Sequence, residues 1–195
     1  MSTFFLNRLT TEPHALAFAG QSTPWPVALA DQTTDPSLDE ALRGHVAAAN
    51  RLLAPAAADL LATTGRPVDL FGFTPNPARL SAAADATASV EGVALTQLGA
   101  LLDLEHLGYS VAAAKPVAVL GHSQGVLAVH MTRAIEAAGS IEAAGKTLDE
   151  ILAVAALIGA AGTRRVRELG LNPKYGEASP MLSVKGATRE QVEAC

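Results

Sequence analysis

The chain has 195 residues, of which 49% are hydrophobic, and a formal charge of −5. It is long enough for one substantial core, and it offers no basic face of the kind that displaces counterions from nucleic-acid phosphates. Its single cysteine, Cys195, leaves no internal disulfide and no cysteine-based metal site, which fits a reducing, cytoplasmic setting. The longest apolar stretch, Ile151 to Ala161, falls well short of the roughly 20 residues that span a bilayer, and Phe4 to Leu6 is too short for a signal sequence. Neither a membrane nor a nucleic acid is an expected partner.

In chain order, Ala15 to Phe18 reads as a short buried strand that ends in the turn formers Gly20-Gln21-Ser22-Thr23-Pro24. Apolar residues from Ser37 to Leu61, among them Leu38, Leu42, Val46, Leu53 and Leu60, recur at helical spacing, with Pro55 placed to break or kink the segment. An irregular stretch, Pro75 to Ser89, precedes a helix marked by Val93, Leu95, Leu98, Leu101, Leu102 and Leu107 that stops near Gly108. Val117 to Leu120 reads as a second strand, and the helix after it runs from Val126 to about Ala138. Thr147-x-x-Glu150 has the form of a capping box for a further helix reaching about Leu169, with Arg164, Arg165 and Arg167 complementing its C-terminal dipole. After Gly170 come a linker, a short strand at Met181 to Val184 and a helix start at Thr188-x-x-Gln191.

Between the second strand and its following helix lies Gly121-His122-Ser123-Gln124-Gly125. A serine flanked by glycines two positions away on either side, at a strand-to-helix junction, is the pattern of a nucleophile elbow. The glycines let the two backbones approach while the central residue takes a strained conformation that exposes its hydroxyl. Ser123 is therefore the candidate covalent nucleophile. The backbone N–H of Gln124 opens the helix and lacks an intrahelical acceptor, so it can contribute to an oxyanion hole, and the Gly20-Gln21 turn is the natural second source.

A serine nucleophile needs a general base, usually histidine. Only His130 lies downstream of Ser123, and seven residues along one helix separate them by on the order of 10 Å along the axis. The side chain of His122 diverges from its neighbour, His106 sits near a helix end, and His14 and His45 belong to no constellation. The chain supplies a nucleophile without a matching base.

Phe18-Ala19-Gly20-Gln21, Thr96-Gln97-Leu98, the elbow and Ser179-Pro180-Met181-Leu182-Ser183 together resemble the acyl-CoA:acyl-carrier-protein transacylase family. The glutamine after the serine looks closest to the N-terminal acetyltransferase domain of actinobacterial and fungal type I fatty acid synthases. The resemblance covers approximately Ala15 to Cys195, with Ser22 departing from the usual glycine. It implies an α/β fold: a hydrolase-like acyltransferase subdomain with a parallel sheet and flanking helices at 1–172, then a linker and the first strand and helix of a ferredoxin-like subdomain at 173–195.

The resemblance further implies that Ser123 takes an acetyl group from acetyl-CoA as an oxyester and passes it to the phosphopantetheine thiol of an acyl carrier protein domain. The backbone amides of Gln21 and Gln124 would form the oxyanion hole, and His122 and Gln97 would line the pocket. Malonyl-specific relatives carry an arginine-glycine pair where this chain has Ile158-Gly159, and an aliphatic side chain cannot pair with a malonyl carboxylate. Ile158 thus points to acetyl selectivity. No resident cofactor or metal is expected; the implied partners are acetyl-CoA, the carrier domain and the remaining domains of an oligomeric synthase. The family's catalytic histidine follows the small subdomain, so the base is expected outside this chain, with little turnover by this segment alone. Other acyl transfer such as malonyl transfer, a serine esterase of the α/β-hydrolase class and a non-catalytic assembly segment of a synthase are the alternatives.

Overall fold

Two short apolar runs, separated by about a hundred residues of mostly helical sequence, meet as a parallel pair. The computed structural model describes residues 8–20, 25–64 and 86–168. Strand β1 (Ala15–Phe18) pairs with β2 (Ala118–Gly121) in the register Ala15 to Ala118, Leu16 to Val119, Ala17 to Leu120 and Phe18 to Gly121. The ladder continues beyond both ends: the Val117 N–H donates to His14 O at 2.9 Å and the His122 N–H to Phe18 O at 3.0 Å. β1 has the expected bounds but not the expected burial. Leu16 and Phe18 are half-buried while Ala15 and Ala17 are exposed, the alternation of a strand covered on one face.

The first helix of the crossover, α1 (Trp25–Gln32), carries no clear amphipathic signal and is not legible in the sequence. Helix α2 (Pro36–Leu53) begins where Asp35 accepts hydrogen bonds from the N–H groups of Ser37 and Leu38, with Pro36 in the first turn, where its missing N–H costs nothing. As expected, Pro55 interrupts this segment: a short 3-10 turn (Ala54–Ala56) separates α2 from α3 (Ala57–Thr64).

Helix α4 (Ala86–His106) starts earlier than the sequence suggests, so residues 86–89 of the stretch read as irregular belong to a helix. Every residue from Ser89 to Gly99 is buried, which removes the polar stripe that would have marked the helix start. The short helix α5 (Val111–Ala114) is likewise absent from the sequence reading; it leads through Lys115, in the left-handed region, into β2. Helix α6 (Val126–Ala138) has the expected bounds and ends at Gly139 with φ of 87°.

Helix α7 (Ile141–Glu168) corrects the capping-box reading, because Thr147 and Glu150 lie exposed inside it. Its cap is Ser140, whose Oγ accepts from the Ala143 N–H at 3.1 Å. Near its other end, Arg164 and Arg165 pair with Glu168 at 2.8 and 3.2 Å rather than standing as isolated charges at the terminus. The strand expected at Met181 to Val184, the helix start at Thr188 and the whole 173–195 unit lie outside the described residues, as do residues 75–85.

Helix α7 packs on α2, α3, α4 and α6, and the core sits among them: Leu42, Val46, Val93, Leu98, Leu101, Met131, Ile135, Leu148 and Leu152 are almost fully enclosed. Ala155 and Ala156, both fully buried, keep α7 thin where it meets its neighbours. His45 on α2 and Asp149 on α7 join the same layers at 2.7 Å. At the base of β1, Tyr109 O–H donates to His14 Nε2 at 2.6 Å while His14 Nδ1–H donates to Glu12 O at 2.9 Å; Tyr109's ionisation is pushed upward by its burial and by Glu136, which keeps it a neutral donor. The described residues thus form a mainly helical fold with a small parallel sheet. None of their helices is long and apolar enough to cross a membrane.

The Asp35 cap gives a pH-dependent prediction. Hydrogen bonds from the Ser37 hydroxyl and from the Ser37 and Leu38 N–H groups hold its carboxyl below the ordinary range. A carboxyl lowered in the folded state stabilises fully above its unfolded range and loses that contribution as pH falls through its folded range. Asp35→Ala should lower the melting temperature at pH 7, and the gap to wild type should shrink as pH falls below the ordinary aspartate range and through the lowered folded range of Asp35.

Candidate active site

β2 runs directly into a 3-10 turn, Ser123–Gly125, and that turn into α6. Of the described residues other than glycine, only Lys115 and Ser123 have positive φ, at 46° and 52°. Lys115 ends a helix, where the left-handed conformation satisfies leftover carbonyls. Ser123 has no such role, and its backbone is held in a region that costs a non-glycine residue about 1–3 kcal/mol. That strain is what the sequence pattern anticipates for a serine pushed above a sheet edge, and the Ser123 side chain is exposed.

Three backbone approaches hold the turn in place. A Cβ on Gly121 would sit 2.5 Å from Gly125 O and 2.7 Å from Val126 N, so the strand and helix meet only because none is there. A Cβ on Gly125 would collide with Phe18 O and lie 3.0 Å from Ala19 O, so the turn rests on the end of β1. A Cβ on Gly20 would fall 2.7 Å from His122 O, 2.9 Å from Ser123 Cβ and 3.4 Å from Gln124 N. The obstructing atoms are backbone or Cβ, which cannot move aside as a flexible side-chain end could.

Inside the turn, the Gly125 N–H donates to His122 O at 2.9 Å and the Val126 N–H to Ser123 O. The Gln124 N–H has no acceptor among the described residues, and its nitrogen lies 3.4 Å from where a Cβ on Gly20 would fall. An anionic oxygen next to Ser123 could accept from it, as an oxyanion hole requires. The second expected donor, Gln21, lies outside the described residues, as do Ser22 and the Ser179 to Ser183 motif; Gly20, which precedes that donor, is in place against the elbow.

Gln97 on α4 reaches the same place from below. Its Nε2 donates to Ala19 O at 2.6 Å, and its Oε1 is buried with no hydrogen-bond partner among the described residues. The Gln124 side chain likewise carries a buried, unpartnered Oε1. The family resemblance puts Gln97 in the pocket; the structure has its amide holding the Ala19 carbonyl beside the elbow. No periodicity or motif spacing could have assigned that hydrogen bond.

His122 is exposed beside Ser123. Ile158 is 49% exposed on α7 together with Val154 and Leu157, and the partners of that helix are α2, α3, α4 and α6 rather than the elbow turn. Among the described residues no histidine bonds to Ser123: His14 is held by Tyr109, His45 by Asp149, and His106 and His130 are exposed on α4 and α6. No family model matches the chain, and no curated protein matches it.

The close approaches predict a contrast between glycines. Gly125→Ala should destabilise the protein by about 1–3 kcal/mol, because the added methyl has only backbone to displace. Gly44→Ala, in the middle of α2 with nothing within 4 Å of the new methyl, should stabilise it by about 0.5–1 kcal/mol. Urea denaturation of the two variants checks both signs.

Proposed function

We propose that the chain carries the nucleophile of an acyltransferase: Ser123 takes an acetyl group from acetyl-CoA and hands it to the phosphopantetheine thiol of an acyl carrier protein domain. The observation that carries this reading is the strained Ser123 backbone, φ 52°, set on a strand–turn–helix junction whose glycines are sterically required. In the first half-reaction, Ser123 Oγ attacks the thioester carbonyl while its proton passes to a general base. The carbonyl oxygen becomes an oxyanion that accepts from the Gln124 N–H and, by the family resemblance, the Gln21 N–H. Its collapse breaks the carbon–sulfur bond and releases the protonated coenzyme A thiol. In the second, the carrier thiol attacks the serine ester, and Ser123 recovers its proton.

The polar and charged groups of the described site are few. α6 carries no acidic or basic residue in its first turn, and Ile158 stands where malonyl transferases of the resembled family have arginine. Both favour an uncharged acyl group, since a malonyl carboxylate left without a partner loses several kcal/mol of charge-assisted bonding. The hydrolase-like subdomain, the base outside this chain, the carrier partner and a place in a cytoplasmic type I synthase all belong to this reading.

Incubation with radiolabelled acetyl-CoA and malonyl-CoA, followed by peptide mapping, tests it. The expected result is slow acetyl labelling of Ser123 that disappears in Ser123→Ala. Preferential malonyl labelling contradicts the role given to Ile158. Rapid release of free acetate with no carrier present favours a serine esterase, and absence of label on Ser123 in the complete polypeptide contradicts acyl transfer.

A further inference from the structure

A peptide plane points its C=O and its N–H in opposite directions, so a side chain that fixes the carbonyl also aims the amide of the next residue. Gln97 is so placed. Its Nε2 donates to Ala19 O at 2.6 Å, and the plane it fixes is the Ala19–Gly20 peptide, whose glycine lies against Ser123 Cβ and Gln124 N. The orientation of the carboxamide is not open to reversal: turned over, Oε1 would face a carbonyl oxygen. The other half of the carboxamide gains nothing, because Oε1 is enclosed without a partner among the described residues, in a stretch of α4, Ser89 to Gly99, that is buried throughout. Neighbouring positions on α4 are filled by Val93, Ala94, Leu95 and Leu98. For stability alone, an apolar residue would serve nearly as well at 97: it removes the buried Oε1, and the carbonyl it releases belongs to Ala19, an exposed residue.

We propose that Gln97 is a positioning residue for the nucleophile: it clamps the Ala19–Gly20 peptide and thereby sets the distance between the end of β1 and the Ser123–Gln124 backbone. This rests on the acyl-transfer reading for its consequence in catalysis, but the clamp has a readout of its own. Gly125 also lies against the Phe18 and Ala19 carbonyls, so the segment is held by both α4 and the elbow. Releasing one side lets the segment drift, and small misplacements beside a reacting centre cost rate rather than binding.

Gln97→Leu and Gln97→Met remove the donor while keeping the volume close, the second offering a flexible chain should the first pack poorly. In the full chain, hydrogen exchange at the amides of residues 18–20 should quicken severalfold, while exchange in the middle of α4 and the melting temperature stay at or above wild-type values. Acetylation of Ser123 should slow by about 10- to 100-fold with the half-saturating acetyl-CoA concentration unchanged. Unchanged exchange at residues 18–20 in both variants overturns the clamp. A falling melting temperature with faster exchange throughout α4 overturns it as well, because that pattern belongs to a purely structural residue. If wild type does not acetylate Ser123, the acyl-transfer reading fails, and the exchange result alone decides for or against the clamp.

Discussion

The feature on which the rest of the site depends is the contact of bare backbone with bare backbone where the end of β1 meets the turn after β2. Gly20, Gly121 and Gly125 each occupy a place where a methyl group would fall within 2.7 Å of a backbone atom. Hydrogen bonds alone could join two parallel strands at ordinary spacing. They could not bring Phe18, Ala19 and Gly20 underneath the turn and leave Ser123 with nowhere to go but a positive φ. The strain at Ser123 is thus a consequence of packing imposed from three sides, and the helical layers supply the free energy that sustains it.

Those layers explain why so small a sheet persists. A two-stranded parallel pair is marginal by itself, and parallel strands ordinarily have both faces covered. Here one face rests on helices, while Leu120 on the other is 59% exposed. The sheet is a mount for the elbow more than a core of its own; the core belongs to α2, α4, α6 and α7. Helix α4 links the two, burying Leu98 and Leu101 among the helices while sending Gln97 to the end of β1.

What can be read from the sequence follows the strength of local signals. β1, β2, α6 and the break at Pro55 are legible because apolar runs and turn formers there agree with the tertiary structure. The start of α7 is not, since Thr147-x-x-Glu150 matches a capping box by the spacing common to any exposed helix face, whereas the true cap, Ser140, lacks the glutamate three residues on. The beginning of α4 is hidden because a helix buried on all sides has no polar stripe. In the site, the Ser123 pattern is visible because its glycines are steric requirements written into sequence. The grip of Gln97 on Ala19 is invisible, as it joins residues 78 apart through one side-chain rotamer. Ile158 is likewise beyond local signals: the resemblance alone gives it a role in acyl selectivity, and α7 carries it half exposed with Val154 and Leu157.

The central claim is that the fold makes Ser123 a nucleophile. Reaction with a fluorophosphonate tests this most directly, since activated serines displace its fluoride and become phosphonylated irrespective of the acyl group an enzyme prefers. In the complete polypeptide, where the general base is in place, one adduct is expected, on Ser123, identified by mass spectrometry and abolished when the protein is first unfolded in urea. Labelling spread over several serines at equal rates, or labelling of Ser123 that proceeds as fast in urea as in the folded protein, would contradict it.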